Sequence, residues 1–274
     1  MADLVDLQDL TNAIALNAVA VEITVVVGPA LGGLLIPALG IGGAYGLIAA
    51  IYVMDLSVLL RMKSGKPPDQ RVHESPARSL IAGFRYAREN HTVLVLLVIA
   101  FMLNLVAAPY RYSFLPLFAR YVLDSGPTGY GMLTAGAGFG ALVAGLWFVT
   151  LGNVKGKGRL VVWSSFAWPL SLLLFAMSTW YYLSLALVFA AGFTQAIAWT
   201  VIAALMLSHT TASMRGRIMG LRTGVVIALP FGNFLSGAAA ERFGTPLALG
   251  AYSASAILLM VVIVLVAPKL YRAE

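Results

Sequence analysis

No cysteine occurs in the chain. That excludes a disulfide framework and any thiolate-ligated metal. Charge is scarce too: Asp, Glu, Lys and Arg make up 11% of the 274 residues, against about 25% in soluble domains. Acids are the scarcer sign, 11 against 18 Lys and Arg, so the formal charge is +7. The three histidines, His73, His91 and His209, lie far apart and near loops, with no HExxH or other ligand spacing. A phosphate-binding loop is missing, because Gly156-Lys157-Gly158 lacks both the upstream Gly and the following Ser or Thr. No GxSxG stretch is present. These gaps argue against an enzyme, and no catalytic residue, metal or cofactor is expected. Met1 to Gln8 is acidic rather than basic, unlike a cleavable signal peptide.

What is abundant is apolar surface. Hydrophobic residues make up 60% of the chain, more than a soluble domain can hide from water. Runs near 20 residues with few charges are candidates to span a bilayer, and about eight fit that description. They are Asn12–Leu39, Ile41–Leu60, Thr92–Pro109, Thr128–Leu151, Leu160–Met177, Tyr181–Leu207, Ile218–Ala240 and Pro246–Ala267. The first is long enough to kink, and Pro29 is the expected place. The fold class is therefore all-α, a polytopic helical membrane protein with the lipid bilayer as its first partner. The one long link, Arg61 to His91, carries charge and Pro67-Pro68. Within it Ser75-Pro76 reads as a helix start. Leu80, Ile81 and Phe84 then share a face away from Arg85 and Arg88, as in a helix lying in the interface.

Lys and Arg set the orientation. Eight spans put both termini on one side, and fifteen of the eighteen basic residues fall there. Only Arg111, Arg120 and Arg242 fall on the other side. The positive-inside rule then places both termini in the cytoplasm. The basic loops are marked by Lys155, Lys157 and Arg159 and by Arg215 and Arg217. A basic balance can also mean nucleic acid, but here the charges punctuate apolar runs, so nucleic acid is not an expected partner.

Inside the spans, polar residues are few. Glu22 shares a helix face with Ala15, Ala18, Val26, Pro29 and Gly33, all within about 40° at 100° per residue. Such a face suits a helix contact or a cavity rather than lipid. A carboxylate there either carries a proton or hydrogen-bonds a neighbouring helix. Gly28 and Gly32 form a GxxxG pair, with Gly33 beside it, and this spacing allows close helix approach. Pro29 removes a backbone donor and permits a bend. Asn104, Pro109 and Arg111 cluster on the third span; Arg111 is expected to snorkel to the surface, and Arg222 likewise at its own end. Gln195 and Trp199 lie four apart on the sixth span. With Asn104 they either line a substrate cavity or act as polar glue between helices.

These residues also carry a resemblance. Asn12 to Leu35, NAIALNAVAVEITVVVGPALGGLL, resembles the fifth helix of major facilitator superfamily exporters, and Gly28 to Gly33 resembles the end of that helix's antiporter motif. NLVAAPYRYSFLPLFARYVL resembles the seventh helix of the branch that holds siderophore, macrolide and multidrug exporters. RGRIMGL and AERFGTPLAL resemble the two ends of that branch's eleventh helix. The resemblance runs from about Leu7 to Val266. It implies a major facilitator fold lacking its first four helices. Residues 1–61 are then a remnant of the first bundle with two spans. Residues 62–91 are a cytoplasmic linker with an interfacial helix, and residues 92–274 are the second, six-helix bundle. It also implies a bacterial inner-membrane, proton-coupled exporter of a small molecule of drug or siderophore type, working by alternating access. Glu22, Asn104, Gln195 and Trp199 are the residues expected to serve proton coupling or the substrate cavity. The rival expectation is a non-transporting remnant or a subunit that needs a partner chain supplying the missing helices.

Overall fold

The computed structural model describes residues 10–61, 76–151 and 156–272. All the regular structure among them is helical. The order is α1 (Leu10–Arg61), α2 (Pro76–Glu89), α3 (His91–Met102), two π-helical turns (Leu103–Ala107 and Tyr110–Phe114) and α4 (Leu115–Tyr121). Then come α5 (Gly126–Leu151), α6 (Lys157–Ala176), α7 (Tyr181–Ser208), α8 (Arg215–Gly224), a 3-10 turn (Val225–Ile227), α9 (Ala228–Phe243) and α10 (Thr245–Val266). A 3-10 turn, Pro268–Arg272, closes the described chain. Seven helical stretches among the described residues are long and apolar enough to cross a bilayer. The protein is thus an all-α polytopic membrane protein.

Seven rather than eight stretches are counted because the first runs, within the 52 residues of α1, through a kink at Gly40 that separates the first two expected spans. A straight helix of that length, at about 1.5 Å per residue, would be more than twice as long as a bilayer's apolar core is thick. Its ladder is broken at Gly40, where φ is 69° and ψ is 172°. That conformation suits glycine alone, since a Cβ would clash there. The break falls between the first two expected spans and not at Pro29, the expected place of a bend; Pro29 and Pro37 both stay inside helix. The third span differs in the same way. It does not end at Pro109 but runs from His91 to Tyr121. The missing proline donor is absorbed by a change of register. The Ala108 N–H donates to the Leu103 carbonyl, five residues back, at 2.8 Å.

Close helix approach occurs where side chains vanish. Gly33 of α1 meets Gly131 of α5. A Cβ on Gly131 would lie 2.6 Å from the Pro29 carbonyl oxygen and 2.9 Å from the Gly33 Cα. The Thr128 hydroxyl then donates to the Gly33 carbonyl at 2.8 Å. The expected GxxxG pair does not make this contact: among the described residues nothing lies within 4 Å of a Cβ at Gly28 or Gly32. The seam runs one residue further round the helix. Between α5 and α7 the approach is closer still, with Gly192 against the Ala137 backbone. In lipid, apolar side chains gain little by leaving one solvent for another, so such van der Waals contact does much of the holding. An aromatic core backs it. Tyr110, Phe114, Phe118, Trp168 and Phe175 are fully buried, with Phe118 and Phe175 ring centroids 4.3 Å apart. The part of α1 after Gly40 is different: Ile41, Tyr52 and Leu60 are exposed.

One end of the bundle collects the polar ties. The Asn90 amide donates to the His209 carbonyl at 2.8 Å, joining the start of α3 to the end of α7. The Thr211 N–H donates to the Tyr86 hydroxyl oxygen at 3.2 Å, and this holds the Tyr86 phenol below its ordinary value. Gly83 of α2 lies against Leu221 and Arg217 of α8. The Arg159 guanidinium sits over the Tyr271 ring, 5.3 Å from its centroid. Pro268–Arg272 touches both α6 and α3.

Substituting glycines separates packing from propensity. Gly192→Ala is expected to lower stability by about 1–3 kcal/mol, because the added methyl meets backbone that cannot move aside. Gly145 has nothing within 4 Å of its would-be Cβ, so Gly145→Ala should be neutral or stabilising by up to about 1 kcal/mol. Thermal unfolding of both variants in the same detergent checks the contrast.

Candidate functional site

The π-helical turns set up the site. A π turn inserts an extra residue and rotates the helix beyond it, so it re-aims side chains, often at functional positions. Here the turns carry Asn104 and Arg111, seven residues apart. Across from them α7 presents Gln195 and Trp199, four apart. The end of α8 and the 3-10 turn after it bring Arg222, Thr223 and Val226, with Leu229 next on α9. Together these residues, with Ala108 and Tyr112, line one cavity of about 450 Å³.

Its walls are tied in place. The Asn104 side-chain amide donates to the Ala100 carbonyl at 2.9 Å, one turn back. The Tyr110 hydroxyl donates to Gln195 Oε1 at 3.3 Å. Tyr110 stands edge-on to Trp168, and Trp168 edge-on to Trp199, both at 6.3 Å between centroids. This chain of rings fixes the Trp199 side of the cavity from behind. On the opposite side the Ser113 hydroxyl meets Asn233 of α9 at 3.2 Å, and Gly232 lies against the Leu105 carbonyl. The cavity sets a few polar side chains in a mainly apolar lining, which is the usual composition of a small-molecule site.

Of the residues singled out by sequence, Asn104, Gln195 and Trp199 come together in this cavity. Glu22 lies on α1, but its side chain is outside the described residues, as is the whole of Lys155. Pro29 and Gly33 lie on the α5 seam, and Gly28 and Gly32 do not. Lys157 opens α6 and Arg215 opens α8. Arg217 donates to the Met214 sulfur at 3.4 Å. Among the described residues no group of three His, Asp or Glu could hold a metal.

Two residues depart from expectation. Arg111 and Arg222 do not simply snorkel outward; both line the cavity, half-buried. Arg111 Nε is buried with no hydrogen-bond partner among the described residues. Regular helical spacing does not predict this pairing, because the register between Asn104 and Arg111 is altered by the π turns. The π turns that bring the pair inward leave no mark in an apolar run.

A second cavity of about 600 Å³ lies between α2, α3 and α8, lined by Leu80, Ile81, Phe84, Leu97 and Leu221 among others. Its walls are almost wholly apolar and offer no chemistry beyond apolar contact.

The described residues thus place a cavity carrying polar side chains between long apolar helices. The chain belongs to the major facilitator superfamily, in the family described as transmembrane secretion effector, whose profile matches residues 1–274. It is 29% identical over 222 residues to the enterobactin exporter EntS of Shigella boydii serotype 18 (strain CDC 3083-94 / BS512), covering 80% of this chain and 52% of that protein. It is 28% identical, with the same coverage, to the enterobactin exporter EntS of Escherichia coli O1:K1 / APEC. The chain thus spans about half the length of the curated relatives it matches.

The Tyr110–Gln195 bond should be measurable as a coupling. In a double-mutant cycle of Tyr110→Phe and Gln195→Met, the coupling energy is expected at about 0.5–1.5 kcal/mol. Thermal unfolding of the four proteins checks it, and a coupling near zero would mean that the two side chains do not hold each other.

Proposed function

We propose that this chain is part of a bacterial inner-membrane exporter that moves a small molecule, of drug or siderophore type, through the cavity bounded by Asn104, Gln195 and Trp199. The observation that carries this is the convergence of those three side chains on one cavity. The kinship with exporters named for enterobactin supports the class of cargo. Export proceeds by alternating access, with the cavity exposed to one side and then the other as two bundles rock. The six spans from His91 to Val266 are the second bundle, α2 is the interfacial part of the linker, and α1 belongs to the first bundle. A proton gradient drives the cycle, and Glu22 carries the proton. Both termini are cytoplasmic, with Lys157, Arg159, Arg215 and Arg217 on the cytoplasmic face. The gathering of Arg88, Arg159 and Arg217 near the ties at one end of the bundle supports that orientation.

A second reading is a non-transporting remnant or a subunit that needs a partner chain supplying further helices. Liposomes carrying this chain alone, and liposomes that also contain the amino-terminal helices of a relative, separate the two. We expect gradient-driven transport only in the second preparation, lost in Gln195→Ala and Trp199→Ala at unchanged insertion. Transport in neither preparation would overturn the exporter proposal. Transport by the chain alone would overturn the partner reading.

Orientation and coupling have their own tests. A cysteine replacing Lys157 should react with an impermeant thiol reagent only from the cytoplasmic side, with no native thiol to confuse the result. Reaction from outside refutes the topology. In the transporting preparation, Glu22→Gln should remove the pH dependence of transport while leaving the thermal unfolding temperature within a few degrees. A pH profile unchanged by the substitution would assign proton coupling elsewhere.

A further inference from the structure

We infer that the cavity takes an organic anion, its charged oxygen group held by Arg111 and Arg222 and its flat apolar part lying along Trp199. This rests on the cavity being the substrate site, and goes further by naming the charge of what enters. The lining carries two guanidinium groups and no carboxylate among the described residues; its other polar side chains, Asn104, Gln195, Tyr112 and Thr223, are neutral. Arginine stays protonated at any physiological pH and has only donors to offer. Two such cations at membrane depth are costly unless an anion or water meets them. Arg111 Nε is buried and has no hydrogen-bond partner among the described residues, so at least one strong donor is left for something the cavity admits. The Tyr110 hydroxyl donates to Gln195 and can still accept one N–H of the adjacent Arg111, which answers only one of the five guanidinium donors. A planar guanidinium matches a carboxylate, sulfonate or phenolate in a forked geometry. Beside it the indole of Trp199, braced by Trp168, offers a flat apolar surface.

A matched set of probes tests the charge preference directly. The full chain, in nanodiscs of zwitterionic lipid, is dialysed to equilibrium against 1-naphthoate, neutral 1-naphthamide and cationic 1-naphthylmethylammonium. Naphthoate is expected to bind about tenfold more tightly than the amide, the scale of a charge-assisted hydrogen bond, and the ammonium most weakly. Arg111→Gln and Arg222→Gln should each shrink that ratio, and Arg222→Lys should restore part of it. Arg120→Gln should leave the ratio alone, since Arg120 stacks on Tyr121 outside the cavity. The comparison of probes within the unmutated chain needs no variant to fold. If the amide or the ammonium binds as tightly as naphthoate, or if the preference survives both Gln substitutions, the anion inference is wrong. If the favoured neutral or cationic probe is then lost in Gln195→Ala and Trp199→Ala, the cavity remains the substrate site and only the anion inference falls. If no probe binds, or binding ignores Gln195 and Trp199, the substrate site and the anion inference fall together.

Discussion

Everything in this chain depends on one constraint: in a bilayer each backbone N–H and C=O must find its partner within the protein. That is why all the described regular structure is helix, and why irregular backbone is informative wherever it occurs. Pro109 removes a donor in the middle of a span. The helix continues because the ladder shifts to five-residue bonds on either side, with Ala108 reaching Leu103 and Leu115 reaching Tyr110. The shift widens the turn and displaces the side chains it carries. Asn104, Ala108, Arg111 and Tyr112 are the residues displaced, and all four line the same cavity.

A second consequence concerns packing. Lipid is as apolar as leucine, so leucines alone cannot pull helices together. Ile41, Leu47, Ile51 and Leu60 after Gly40 are exposed, and lipid can satisfy such side chains as well as protein can. Where two helices do meet closely, the contact is backbone on backbone. Gly33 meets Gly131, and Gly192 meets Ala137. The first contact joins α1 to α5 and is fastened by the Thr128 hydroxyl. The second joins α5 to α7, so α5 is held from two sides through positions without side chains. The ring chain of Tyr110, Trp168 and Trp199 works differently. It fills volume and also positions Gln195 through the Tyr110 hydroxyl.

Much of the fold is legible in the sequence because the bilayer enforces length and hydropathy. Spans such as Tyr181–Leu207 and Pro246–Ala267 agree with α7 and α10 to within a residue at each end. The boundary between the first two spans falls at Gly40, where the helix does break. Sequence and structure part where hydropathy is silent. Prolines suggest breaks, yet Pro29 and Pro109 both sit within continuous helix, one in a long α-helix and one between π turns. Periodicity locates the small-residue face of α1 but not which glycine meets the neighbour, because that depends on how α5 is rotated. Asn104, Gln195 and Trp199 can be found because a polar group in an apolar run is conspicuous. The arginines are harder to place, because a long side chain near a span's end has two destinations, and only the turn geometry separates them.

The irregular segments and the polar residues coincide, and the coincidence has a physical reason. The π turns at Leu103–Ala107 and Tyr110–Phe114 and the 3-10 turn at Val225–Ile227 interrupt two of the spans. Residues from all three line the 450 Å³ cavity. Non-helical backbone at membrane depth is stable only where it is covered by protein or faces a wet cavity, never where it faces lipid. A cavity of this kind relaxes the constraint on the helices that border it, and relaxed helices can turn polar side chains inward at angles a regular α-helix does not reach. The partner across from them, α7, is regular throughout and supplies a fixed wall. The cavity is therefore built from one regular helix face and two irregular ones.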